Sequence, residues 1–420
     1  GLSTELVAPG ANYIDSLIVQ ENTFEDQGSF ALQVGHSQNV SLLENEFSST
    51  SANPSNSGAI SLFDCSSVSV RSNLLQGLNQ WPSTGILVDQ SNNILVRNNR
   101  LFMDNQNAVE GIFLTNSQFV SSAFNSVFIG TSSIGAYAFL GDNIDNATVV
   151  SNIFQNAGGS GYSAGMINTG ASLSFLNFNN LSAPNGANIG DDDGTDRATL
   201  TDWNANTGYD LNSLTVDDAF VDTANLIVCN QALYRTGIND PVSPEPFDYE
   251  GDPRHTPPCI GADEFQNLAD FQNREDLSLC LGDTIMLTQY YFQTVMWNFY
   301  DTSHVFEVTS TGNYALSVRG SCGSDTVFFD VTQNDRADLQ DEFLCDGSTI
   351  VLDAGVSNAT YIWNNGLNTQ FIPVSSPGVY SVTVIDSAGC VSTDSSVVSI
   401  SNGVSLPDNP TFCEDDGSLL

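Results

Sequence analysis

Few residues of this chain could do chemistry. The three histidines, His36, His255 and His304, stand far apart, and there is no His-Glu-x-x-His or Gly-x-Ser-x-Gly run. One acidic run, GDDDGTD at 190–196, alternates Asp191, Asp193 and Asp196 around Gly194. That spacing can wrap Ca2+ in oxygen ligands, although the later bidentate Glu of a full EF-hand loop is missing; otherwise it is an exposed acidic loop. The cysteines are Cys65, Cys229, Cys259, Cys280, Cys322, Cys345, Cys390 and Cys413. None forms a Cys-x-x-Cys or a zinc-spaced cluster, so structural disulfides in an oxidising compartment are expected.

Charge narrows the partners. Every one of the nine basic residues is Arg, against 49 acids, for a formal net charge of -40. Such a surface repels nucleic-acid phosphates and anionic membranes and suits a salty exterior. No apolar run is long enough to span a bilayer, so no membrane insertion is expected.

The elements that must position these residues repeat. Six segments align on Asn22, Asn45, Asn73, Asn99, Asn125 and Asn152, at steps of 23, 28, 26, 26 and 27 residues. Two residues past each Asn stand Phe24, Phe47, Leu75, Leu101, Val127 and Phe154. Before it, alternate positions form apolar columns, one of them Leu17, Val40, Val68, Ile94, Val120 and Ala147. A second strand recurs in each repeat, usually after a Gly, as in GAISLF and GAYAFL. Period two inside a repeat of about 26 residues predicts parallel coils around a continuous core. The recurring Asn suits a left-handed turn position, with its amide bonded to the same amide one coil away.

The outward columns follow from the same register. One reads Gln20, Leu43, Arg71, Arg97, Ala123, Val150; the other reads Ile18, Ser41, Ser69, Leu95, Ser121, Thr148. Neither holds the carboxylate pair that glycoside cleavage needs. Arg71 and Arg97, about 5 Å apart on adjacent coils, could grip an acidic sugar or be neutralised by turn acids such as Glu44.

The pattern over residues 1 to about 265 resembles the right-handed parallel β-helix family. Its end carries the more specific motifs: LTDWNANTGYDLNSLTVDDAFVD (200–222), then FDYEGDPRHTPPCIGADEF (247–265), with Asp248, Gly251 and Arg254 preceding an Ile260–Phe265 stretch. The resemblance implies a cap over the last coil, with Arg254 clamped to Asp263 or Asp248. It also implies a Cys229–Cys259 bridge, leaving Cys65 as a buried lone thiol. Members of the family cleave or bind polysaccharides, so a carbohydrate-active role is the rival reading.

The second half repeats as well. LCLGDTIML (279–287) matches LCDGSTIVL (344–352); Trp297 and Trp363 follow, then TGNYALSV and PGVYSVTV, then Cys322 and Cys390. A buried Trp, a corner Tyr and one early-to-late disulfide predict small antiparallel sandwiches, pairing Cys280 with Cys322 and Cys345 with Cys390. FCEDDGSLL matches the same opening strand, so Cys413 is expected to begin a third module whose partner cysteine lies beyond residue 420. These modules resemble the Ig-like and PKD-like modules of large secreted Bacteroidota surface proteins.

The expected fold class is all-β: a right-handed parallel β-helix solenoid followed by two small Ig-like sandwiches. Coils are expected over 1–199, a cap over 200–266, modules over 267–334 and 335–402, and a third beginning at 403–420. The resemblance implies a non-enzymatic, extracellular adhesin or stalk exported by the type IX route. Its partners would be other segments of the same long chain, surface polysaccharide, other surface proteins, or further copies in a filament. No cofactor is required on this reading, although the 190–196 run could take Ca2+. Asp-Ser/Thr-aliphatic triplets at Asp15, Asp222, Asp283, Asp325 and Asp386 resemble an O-glycosylation signal of such proteins.

Overall fold

The structure is a computed structural model that describes residues 14–25, 30–49, 57–78, 83–104, 109–131, 133–168, 175–223, 225–265, 277–280, 282–289, 294–320, 322–345 and 347–401. The chain divides into two compact units. The first comprises residues 1–271 with 290–294 and 318–325, and the second the remainder.

The first unit is a parallel β-helix. Each coil gives one strand to each of three sheets, two of seven strands and one of eight. The first sheet stacks Leu17–Gln20, Gln38–Leu43, Ser66–Arg71, Asn92–Arg97, Gln118–Ala123, Thr148–Val150 and Phe175–Asn177 in chain order. Its register is the one the columns require: Val40 faces Val68, Val68 faces Ile94, and Ile94 faces Val120. Those four are at most 2% exposed. Full burial of such side chains contributes about 1.5–3 kcal/mol each. The post-Asn column continues through the second sheet from Phe24 to Leu181, and the post-Gly strands form the third.

The Asn column is a ladder buried at the bend between the first two sheets. In Asn73, Nδ2 donates to Asn99 Oδ1 at 3.0 Å and to Leu42 O at 2.9 Å, while Oδ1 accepts from the Asn45 backbone and side chain. Every donor and acceptor of the buried amide is thereby used. The bend itself differs from expectation. The left-handed residue is the one before each Asn: Glu21, Glu44, Ser72, Asn98, Phe124, Ser151 and Phe178. Turning the chain there frees the Asn to keep ordinary backbone angles and aim its amide along the solenoid axis.

The ladder runs one rung further than the sequence suggested, to Asn179, and ends where Asn179 Nδ2 donates to Asp210 at 2.9 Å. Asp210 also accepts from the indole of Trp203 at 3.0 Å. Trp203 lies on the helix Leu200–Thr207, which Thr199 caps at its start and Gly208 at its end. Fully buried, Trp203 plugs the last coil. A Cβ on Gly190 would come within 2.1 Å of it, so that position must stay Gly.

Cys65 belongs to a second stack, between the third and first sheets. Its backbone N–H donates to Ser91 Oγ, and Ser91 N–H donates to Ser117 Oγ. The thiol fills a rung that serine fills elsewhere, buried and free.

Two sandwich modules follow, with matching topology. In the first, Leu277–Leu279, Gly323–Gln333, Gly312–Gly320 and Thr294–Trp297 form one sheet, and Ile285–Thr288 pairs with Val305–Val308. In the second, Glu342–Leu344, Val391–Ile400, Gly378–Ile385 and Thr360–Trp363 form one sheet, and Ile350–Asp353 pairs with Phe371–Val374. Trp297 and Trp363 are buried, and each indole N–H donates to a carbonyl six residues on, Ser303 and Thr369. Tyr314 and Tyr380 donate to Ser310 O and Ser376 O, four residues back, at their strand corners.

One pairing in each module is not antiparallel. The opening strand runs parallel to the last, Leu279 opposite Gln333 and Leu344 opposite Ile400. This overturns the expected disulfides. Cys280 emerges at the far end of the 11-residue strand Gly323–Gln333, whereas Cys322 stands before its start. At about 3.3 Å per residue the two lie roughly 35 Å apart, far beyond disulfide reach. Cys345 and Cys390 are separated in the same way by the 10-residue strand Val391–Ile400. The bonds formed are instead Cys229–Cys322 and Cys280–Cys390. Cys345 is disulfide-bonded, but not to Cys390. Cys413 lies outside the described residues.

Candidate functional site: the arginine face and its strap

The first sheet sets Arg71 directly beside Arg97, as the columns require. Residues 237–265 of the same chain lie across this face as a strap. Ile238 packs on Ala123, Phe124 and Val150, and its N–H and C=O bond the Ser151 hydroxyl at 2.9 and 2.8 Å. Asp240 then pairs with Arg97 and accepts from Ser121, while Arg97 also donates to Ser243 O. Glu245 lies 3.4 Å from Arg71. Arg97 is 3% exposed, whereas the Arg71 side chain keeps 41%. Burial pulls the Arg97 pKa down, and Asp240 and Glu245 oppose that pull. The arginines are thus neutralised by strap acids, not by Glu44.

Further along, Asn98 donates to Phe247 O at 2.8 Å, and Arg100 lies 4.2 Å over the Tyr249 ring. Arg100 also pairs with Glu250 at 2.5 Å and Asp263 at 3.5 Å. Arg254 takes Glu264, at 3.0 Å, not the expected Asp263 or Asp248. It covers the Phe124 ring at 3.8 Å and donates to Asn98 Oδ1 at 2.8 Å. The reason is alternation: Glu264 points beneath the strap toward Arg254, and its neighbour Asp263 turns toward Arg100. Asp248 instead accepts the backbone N–H groups of Asp252 and Glu264. Gly261, at φ 103, donates to Ser151 O; a Cβ there would come within 2.7 Å of Ile153.

Titration follows burial. Desolvation and nearby Glu250 push Asp248 up to about 7 against its N–H donors and Arg254. Burial, with Glu250 beside it, raises Asp263 well above the carboxylate range despite Arg100. Burial would raise Glu264 too, but His255, Arg254 and the Cys259 N–H hold it below. Burial also pushes the free Cys259 thiol up, leaving it a poor nucleophile. The expected Cys229–Cys259 bridge is absent because Cys229 is bonded to Cys322, and Cys259 packs with Val228, Ile260 and Phe265. Two groups of metal-ligand type gather here, His255 with Cys259 and Glu264, and Asp248 with Glu250 and Asp263. Arginines compensate both, Arg254 the first and Arg100 the second.

The acidic run 190–196 forms a hairpin. Asn188–Asp192 pairs antiparallel with Thr195–Arg197, and Asp193 and Gly194 both take positive φ, as a two-residue Asp-Gly turn requires. The three candidate carboxylates have separate donors. Asp191 accepts from Tyr137 and Gly194 N–H, Asp193 from Asn168 N–H, and Asp196 from Tyr162. His36 pairs with Asp64 and His304 with the Gln289 carbonyl, each remote from the strap in the chain. The hydroxyl-bearing residues of the five triplets, Ser16, Thr223, Thr284, Thr326 and Ser387, are all exposed.

Sequence reasoning missed Asp240, Glu245 and Glu250. The signal was present, since acids follow one another through 240–250 where the chain has left the repeat, but nothing in spacing shows that the segment doubles back.

Residues 9–180 match the family described as the right handed beta helix region. The strap, residues 237–265, lies outside the matched span. A search of curated proteins gives no match. Solved structures with partial likeness include Sidekick-1 immunoglobulin domains 1–4, at 12% identity and TM-score 0.14 over 30% of this chain and 49% of that one. The insect immune protein hemolin gives 12% and 0.20 over 30% and 45%. The eight N-terminal Ig domains of DSCAM give 16% and 0.16 over 30% and 26%. The chain spans half or less of the length of each, and likeness at these TM-scores carries no argument about role.

Proposed function

We propose that this chain is a structural and adhesive segment of a large extracellular surface protein of the type IX-exported kind, serving attachment and not turnover. One observation carries the reading: the arginines that could grip an acidic sugar are spent on acids of the chain's own strap, with Arg97 sealed beneath Asp240. The disulfides suit an oxidising exterior. Among the described residues no helix is long and apolar enough to cross a membrane. Surface polysaccharide, other surface proteins or further copies of the chain are the partners this role calls for.

The test is a screen of the intact chain against acidic polysaccharides, with and without a chelator. No turnover is expected. Turnover that an Arg71→Ala, Arg97→Ala double variant abolishes would overturn the reading and establish the carbohydrate-active alternative.

A further inference from the structure

The two disulfides interleave: Cys280 lies within the 93-residue span of Cys229–Cys322, and Cys322 lies within the 110-residue span of Cys280–Cys390. Each cystine is therefore a node, and three stretches of backbone run between the nodes: Cys229 to Cys280, Cys280 to Cys322, and Cys322 to Cys390. We propose that this arrangement is a covalent truss, which keeps the chain in one piece after a backbone cut in any one of the three stretches. Two cuts in different stretches also leave the nodes joined by the third. Separate disulfides inside each module would give no such protection, because a cut between modules would part the chain.

The stretch from Cys280 to Cys322 is the shortest, at 42 residues. Fully extended it spans about 140 Å, and it caps how far the nodes can be pulled apart. Without the cystines the stretch from Cys229 to Cys390 could reach on the order of 550 Å. The cause lies in the parallel pairing of each opening strand. It sends Cys280 past the end of its own module, where Asn334 donates to Cys390 Sγ at 3.1 Å and Asp386 at 2.8 Å. The inference deepens the structural role proposed above: a chain displayed outside the cell meets proteases and load.

The absence of Lys from the sequence makes the test clean, since a Lys-specific protease has no site in the native chain. Arg336→Lys places one conservative, exposed site between Cys322 and Cys345. The full chain is unfolded in urea with free thiols alkylated, cut, and run with and without reductant. One band near 44.9 kDa without reductant, resolving into residues 1–336 and 337–420 with it, is expected. Adding Cys280→Ser should part the fragments without reductant. Separation of the Arg336→Lys chain without reductant would overturn the truss while leaving the attachment role standing. Polysaccharide turnover would do the reverse. Because cutting is done in urea, cleavage does not depend on access to the site, and the cystines formed in the folded chain are retained.

Discussion

At the scale of single residues, the Asn ladder is the most demanding feature. Asn99 is fully buried, donating to Val70 O and Asn125 Oδ1 and accepting from the Asn73 backbone and side chain. Asn99→Ala strands polar groups on both neighbouring coils with no water to replace the lost partner. A loss of about 2–3 kcal/mol is expected, read as a lowered calorimetric transition of the intact chain. Asn22, at the exposed end of the ladder, should cost well under half as much. The ladder was legible from Asn22 to Asn152 because its spacing is nearly constant. Asn179 keeps the step but sits in FLNFNN, where Asn177, Asn179 and Asn180 compete for the position. Asp210 was not legible, since it accepts the last amide from outside the repeat.

At the scale of elements, the strap sets the pH response of the first unit. Asp248 is raised in the folded state, so its stabilising contribution is complete below the ordinary carboxylate range near pH 4 and is lost as pH rises through about 7. Glu264 is lowered, so its contribution is present above that range and fades in acid. The strap should hold best near about pH 4.5 and weaken steadily from there to about pH 7. Asp248→Asn should lessen that loss, seen as a melting temperature that falls less between about pH 4.5 and 7, the raised Asp263 carrying the remainder. The hairpin at 190–196 gives a second outcome at this scale. Its carboxylates already accept from Tyr137, Tyr162 and backbone N–H groups. Adding Ca2+ or a chelator should leave the transition where it is, and a calcium-dependent rise of several degrees would contradict this. The run Asp-Asp-Asp-Gly-Thr-Asp carries both a calcium-loop spacing and the Asp-Gly hairpin signal, and the hairpin forms because Asn188–Asp192 extends the third sheet.

At the scale of the whole molecule, cysteine usage showed that crosslinks exist but not which ones. The Cys, Trp and Tyr spacings were right about the buried indoles and corner tyrosines, because these depend on local strand geometry. The pairing depends on whether the opening strand runs with or against the last one, which no local spacing records. Removing Cys229 and Cys322 together should cost about 2–4 kcal/mol, the usual contribution of a long-span bridge. The Asn99→Ala effect should be unchanged in that background, because the ladder amides and the bridge share no bonding partner.

The account rests on the strap being held against the β-helix, and hydrogen exchange of the intact chain reads this directly. The bonded amides of Ile238, Asp248, Ile260 and Gly261 should exchange far more slowly than those of an open loop, and Asp240→Ala should speed exchange over 238–248 by at least tenfold. Rapid exchange of the strap beside a protected Asn92–Arg97 would mean that Arg97 is open to solvent and ligand, and the structural reading would fail.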